Sequence, residues 1–234
     1  MRNPLAVGSH ARALLAALVL AGLAPAVLAQ NADGGSCGVL RNAYGPFDYR
    51  TQRDKLQIVE DFHLNTASEN LIKPMGRNFG GDFDYTLRAS PNHHRALIAM
   101  ARYSERTKSD RLADMNWTVD CYFDRAMRFA RDDMIVRMIY AGYLGHTNRE
   151  AQALAQLDYV AQSAGDNPFT HYNLGLLYLE LKHYDKALAQ AHTAQQMGLP
   201  RTELREALKK AGKWVEAPAA AAPAEVASAA APAS

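Results

Sequence analysis

Cysteine and tryptophan are scarce in this chain, with two of each in 234 residues. A single cysteine pair cannot build a small scaffold stapled by several bridges, and no Cys-x-x-Cys is present to suggest a redox motif or a zinc knuckle. The familiar catalytic spacings are missing too. There is no Gly-x-Ser-x-Gly, no phosphate-loop Gly-Lys-Ser/Thr, no His-Glu-x-x-His and no Gly-x-Gly-x-x-Gly opening a βαβ unit. Gly76-Arg77-Asn78-Phe79-Gly80-Gly81 is rich in glycine, but without a following Lys-Ser/Thr it reads as a loop. The apolar run Ala13–Ala24 is 12 residues long, well short of the roughly 20 that a transmembrane helix needs.

That short run has another meaning. Arg2 and Arg12 give it a positive flank, and Val27-Leu28-Ala29 supplies a small-residue cleavage pattern, so residues 1–29 read as a signal peptide with Gln30 as the new N-terminus. The leader carries two of the 26 Lys+Arg and none of the 24 Asp+Glu, leaving 24 of each and no net formal charge in the mature chain. A neutral protein lacks the electrostatic footprint of a nucleic-acid binder or of one held on an anionic membrane. The cluster Arg102, Arg106, Lys108 and Arg111 is offset by Glu105, Asp110 and Asp114 and reads as a solvated loop. At the other end, Ala217–Ser234 is almost wholly Ala, Pro, Ser and Val, a composition with little to pack and repeated helix breaks, expected as a disordered tail. The remainder is long enough for one domain with its own core. Cys37 and Cys121 are an even pair in an exported chain, which makes a disulfide the expectation; closing a loop of that length is worth about 4 kcal/mol in the chain-entropy model.

The C-terminal half has helical periodicity. Leu174, Gly175, Tyr178 and Leu181 share one helix face; Lys182-His183-Tyr184 makes a turn; Ala187, Leu188, Ala191 and Ala194 mark a second helix, ended by Gly198-Leu199-Pro200. Leu174-Gly175, Tyr178, Tyr184, Ala187, Ala194 and Pro200 resemble the tetratricopeptide repeat in residue type and spacing, departing from it at His171 and Ala191. Residues 134–161 resemble a preceding unit, with Gly165-Asp166-Asn167-Pro168 as the break between units. Ile139 to Leu174 is 35 positions, near the roughly 34-residue period of this repeat. Pro91–Ser104 and Met115–Arg131 resemble a third unit with an enlarged turn, and Arg201–Trp214 a closing helix. The Pro91–Leu97 run and the Cys37 segment resemble parts of small exported bacterial repeat proteins. The resemblance implies an all-α stack of about three repeats over 91–216.

Residues 30–90 read as an extension packed on that stack. Partial alternation over Leu56–Leu64 and strict alternation over Phe83–Leu87 predict two short strands, with a short helix near Ser68–Ile72 between them. Its aromatics, Tyr44, Phe47 and Tyr49, suit docking.

Two functional readings come from different residues. In tetratricopeptide stacks the first helix of each unit lines a concave groove. The resemblance places Phe169, Tyr172, Leu176, Leu179 and Glu180 in that groove, with Met134, Arg137, Ala141 and Leu144 from the unit before. Such a groove suits a protein or peptide partner and needs no cofactor. The expected role is an interaction module or adaptor, periplasmic or secreted, with no stable membrane anchor once the leader is removed. The alternative is a metal-binding protein or hydrolase using Asp82, Asp84, His93 and His94, with His63 nearby. Carboxylates and imidazoles are legitimate metal ligands, although adjacent histidines on a helix point about 100° apart. Self-association through the ends of the stack is a third reading.

Overall fold

The computed structural model describes residues 35–217; the expected leader, 1–29, and the expected tail from 218 onward lie outside the described residues. Among the described residues the chain is all-α, with ten α-helices and no strand. They are α1 (Arg53–His63), α2 (Thr66–Glu69), α3 (Phe79–Ala89), α4 (His94–Thr107), α5 (Val119–Phe129), α6 (Met134–His146), α7 (Glu150–Ser163), α8 (Pro168–Glu180), α9 (Tyr184–Gln196) and α10 (Glu203–Lys210). None of them is long and apolar enough to cross a membrane.

The two expected strands are helices α1 and α3. Windows of five to nine residues do not separate a period of two from one of 3.6. Leu56 and Val59 are three apart and both buried, and Phe79, Phe83 and Leu87 repeat every four, which is helical spacing. Asp82 and Asp84, which a strand reading puts on the solvent face, are buried and hydrogen-bonded. Asn78 starts α3 by accepting from Gly81 N–H, so the predicted glycine loop is in part the first turn of a helix.

Two helical hairpins form the C-terminal half. α6 and α7 are joined through Thr147–Arg149 and α8 and α9 through Leu181–His183, with Asn148 (φ 60°) and Lys182 (φ 62°) in the left-handed region at equivalent places. All four helix starts, the ends of α6 and α8, and the turns of the two hairpins are offset by 34 residues. Asn167 caps α8, accepting from Phe169 and Thr170 N–H, and Pro168 occupies its first turn, where a missing N–H costs nothing. α6 separates two core clusters. Val136 and Tyr143 enter the one built by α3, α4 and α5, while Met138, Ala141 and Leu144 enter the one built by α7 to α10. The α4–α5 connection is longer than the hairpin turns but is packed, with Leu112 and Met115 buried, and Arg102, Glu105 and Arg106 of the expected loop belong to α4.

Small residues set the close approaches. A Cβ built on Gly175 would overlap Leu204 Cδ2 and touch Ala187 O, so α8, α9 and α10 converge there. The departure at His171 is accommodated, because this buried imidazole places Nδ1 2.7 Å from Gln190 Oε1 and Nε2 2.9 Å from Gly165 O.

The segment before α1 is a strap tied along α5. Cys37 and Cys121 form a disulfide, with Cα atoms 5.0 Å apart. Arg125, fully buried, donates from Nη1 to Cys37 O (3.0 Å) and Val39 O (2.7 Å), and its guanidinium stacks 3.9 Å over Trp117. Arg128 donates to Gly38 O. Disulfides of this kind belong to oxidising compartments.

Gly175→Leu is expected to lower the unfolding free energy by about 1–3 kcal/mol through overpacking against Leu204, read by denaturant titration of the helical signal. Cys37→Ser is expected to cost up to about 4 kcal/mol without reductant and nothing relative to wild type in full reductant, the contrast that isolates the bridge from the side chain.

Candidate interaction face and its supporting junctions

α4, α6 and α8 pack side by side; one polar junction ties the N-terminal ends of α4 and α6, and a second ties the C-terminal ends of all three. At the N-terminal ends, Asn92 is fully buried; it donates from Nδ2 to Asp48 Oδ1 and Asp133 Oδ2 (2.9 Å each) and accepts from Tyr49 N–H (3.0 Å). His94 Nε2 lies 2.8 Å from the same Asp133 oxygen, and Arg50 bridges Asp48 and Asp132. The Arg50 guanidinium holds the Asp48 carboxyl well below the usual carboxylate range, against the opposing effect of burial. His93, fully buried, accepts from Ala96 N–H at Nδ1, so its proton sits on Nε2, 3.0 Å from Glu60 Oε1. Burial pushes its pKa down, with Glu60 opposing, and the ring is neutral at neutral pH.

At the C-terminal ends one imidazole joins three helices. His146 of α6 places Nδ1 3.1 Å from Glu105 Oε1 of α4 and Nε2 2.5 Å from Glu180 Oε1 of α8. Both ring nitrogens face carboxylates, an arrangement suited to the imidazolium, and the Glu180 contact is the main cause of its raised pKa. Beside it an open polar cleft of about 650 Å³ is lined by Ser104, Glu105, Asp110, Asp120, His146 and Arg149, among others.

The exposed face between these junctions differs in part from the expected groove. Phe169 (54% exposed), Leu176 and Glu180 are exposed, and Leu179 is half-buried. Tyr172 is buried, its hydroxyl donating to Glu203 of α10. On α6, Ala141 and Leu144 are buried in the core, and Met134 is half-buried. Arg137 turns toward α7, donating to Gln156 and stacking 3.9 Å over Tyr159. The cause is a register slip of one residue. The 34-residue offset pairs Phe169, Leu176 and Leu179 with Ile135, Gly142 and Gly145, each one position beyond Met134, Ala141 and Leu144, and Ile135 is 45% exposed. Gly142 and Gly145 bring α6 against Leu177 and Leu181 of the second hairpin. α4 extends the face with Ile98 and Arg102, both exposed.

The Asp82, Asp84, His93 and His94 set is not assembled into one site. Asp82 accepts from Met75 and Gly76 N–H at the start of α3 and lies 3.4 Å from His63. Asp84 binds Tyr122, Asn116 and Arg88 on the strap side. His93, the N-cap of α4 with extended backbone, turns to Glu60, and His94, the first residue of the helix, turns to Asp133. Among the described residues no three His, Cys, Asp or Glu side chains gather as a metal would need.

No protein-family model, characterised protein or solved structure matches this chain. The functional reading therefore rests on its own geometry. Sequence reasoning missed Asn92, Asp133 and His146. The 34-residue offset between His146 and Glu180 was the available signal for the last.

His146→Gln is expected to lower the melting temperature by about 2 °C at pH 6, the scale of exposed pairs in a chain this size. A raised folded pKa means that the contribution is complete below the unfolded value of about 6.5 and is lost as pH rises through the folded one. The gap between variant and wild type should close by pH 9 in paired thermal melts; a gap constant with pH would show that charge is not involved.

Proposed function

We propose that this chain is an exported interaction module of the tetratricopeptide kind, holding a protein or peptide partner in the cell envelope on the face shared by α4, α6 and α8. The observation that carries the reading is the 34-residue correspondence of the two hairpins, which sets exposed Ile135 and Phe169 at equivalent places on successive helices. Leu176 on α8 and Ile98 on α4 continue an apolar face that water would otherwise hydrate, and such faces mark binding surfaces. Apolar anchors at helical spacing between charged ends suit an amphipathic helix or an extended peptide. The role needs no cofactor. The leader pattern, the disulfide and the neutral mature charge support a periplasmic or secreted setting and a polypeptide partner in preference to nucleic acid.

The test is a photo-crosslinking amino acid, p-benzoylphenylalanine, placed at Phe169 in cells, with the same group at exposed Ala189 of α9 as the control. A discrete adduct at residue 169 that disappears with Leu176→Asp, and no adduct at residue 189, is the expected result. Equal labelling at both positions, or none at Phe169, would overturn the assignment of the face.

A further inference from the structure

A second apolar surface lies on the N-terminal helices, away from the α6–α8 face. α1 buries Leu56 and Val59 and leaves Ile58 and Phe62 57% and 66% exposed. Beside them is a cavity of about 300 Å³ walled by Tyr44, Ile58, Phe62, His63 and Tyr85. Its geometry is fixed at both ends. Tyr44 donates its hydroxyl hydrogen to Lys55 O (2.7 Å) at the start of α1, and Tyr85 stacks on His63 at its end with ring centroids 3.9 Å apart. A knob and a hole therefore lie on the same helix.

We infer that this surface is a two-fold interface between two copies of the chain, α1 packing antiparallel on α1 about an axis through Ile58. The charges on the same face single out a second copy as the occupant. Lys55 precedes Ile58 by three residues and Asp61 follows it by three, and both are exposed. In the antiparallel pair, Lys55 of each copy lies opposite Asp61 of the other, giving two cross-copy ion pairs in place of the exposed contact Lys55 now makes with Asp54. The same symmetry carries Phe62 to the Lys55 end of the other α1, where Tyr44 is anchored. A patch that holds its own complement in shape and in charge is what an isologous interface requires. Its size is sufficient. The exposed parts of Tyr44, Ile58, Phe62 and Tyr85, with Met75 beside Asp82, amount to roughly 500 Å² per copy, and about 1,000 Å² over two copies is where specific association begins.

The experiment is light scattering of the purified full chain, expressed with its own leader, up to about 100 µM, a range that detects micromolar association. The expected mass doubles with concentration for the wild type and stays that of one chain for Phe62→Ser with unchanged helicity. Lys55→Glu should weaken the dimer about tenfold by removing two pairs and setting like charges together. The Lys55→Glu/Asp61→Lys double variant should restore it, a reading independent of any fold effect at Phe62. A wild type that remains monomeric throughout overturns the proposal and leaves the patch to a different protein. A dimer untouched by Phe62→Ser, or a double variant as weak as Lys55→Glu alone, overturns it equally.

Discussion

The buried amide of Asn92 is the contact on which the arrangement turns. A side-chain amide taken out of water must have its donors met, and both Asn92 donors are, by Asp48 from the strap and Asp133 from the start of α6. Its oxygen takes the Tyr49 N–H. Three chain segments more than 40 positions apart are thereby fixed at the entrance to α4. Asp133 then fixes His94, and the Asp48 carboxylate fixes Arg50. Replacing any one member strands a buried charge or amide, so the set forms as a unit and sets the spacing of α4 from α6. The exposed face between α4 and α8 inherits that spacing.

The N-terminal region is consequently a brace and not an appended cap. Its strap runs from the disulfide and Arg125 on α5 to the Asn92 junction, and α3, with Leu64 and Leu71 from the segment after α1, completes the core that α4 and α5 begin. The Asp84 carboxylate, met by Tyr122, Asn116 and Arg88, ties α3 to α5 on the same side. The C-terminal hairpins need less of this. Their helices meet through glycine and alanine at Gly142, Gly145, Gly175 and Ala187, and the backbone approach does the work that polar networks do elsewhere.

Legibility in the sequence follows that division. Where contact is made by small residues at a fixed period, the pattern is local and repeats, so the helices of residues 134–196 and the turns at Asn148 and Lys182 could be read from spacing alone. Where contact is made by buried polar groups, the pattern is not local. Nothing near Asn92 announces Asp48 or Asp133, and the aspartates of α3 looked like solvent-facing residues because their partners lie up to 38 positions away. The one-residue slip on α6 has a related cause. Ala141 and Leu144 are as apolar as the exposed Ile135, so hydrophobicity could not say which of two neighbouring stripes faces the core. The Cys37–Cys121 pairing was legible because two cysteines admit only one partner each.

The disulfide also decides what a cut in the chain does. Residues 37 and 121 are joined across 84 positions, so α1 to α4 and the long α4–α5 connection all lie inside one covalent ring. That connection carries the exposed residues Lys108 and Arg111, the type of site that trypsin-like proteases attack. A single cleavage there opens the ring without releasing a fragment, and the Asn92 junction and Arg125 continue to hold both sides. The same cleavage beyond residue 121, in the hairpins, separates the pieces. Persistence after proteolysis is thus built into the braced half of the molecule and withheld from the half that presents the candidate binding face.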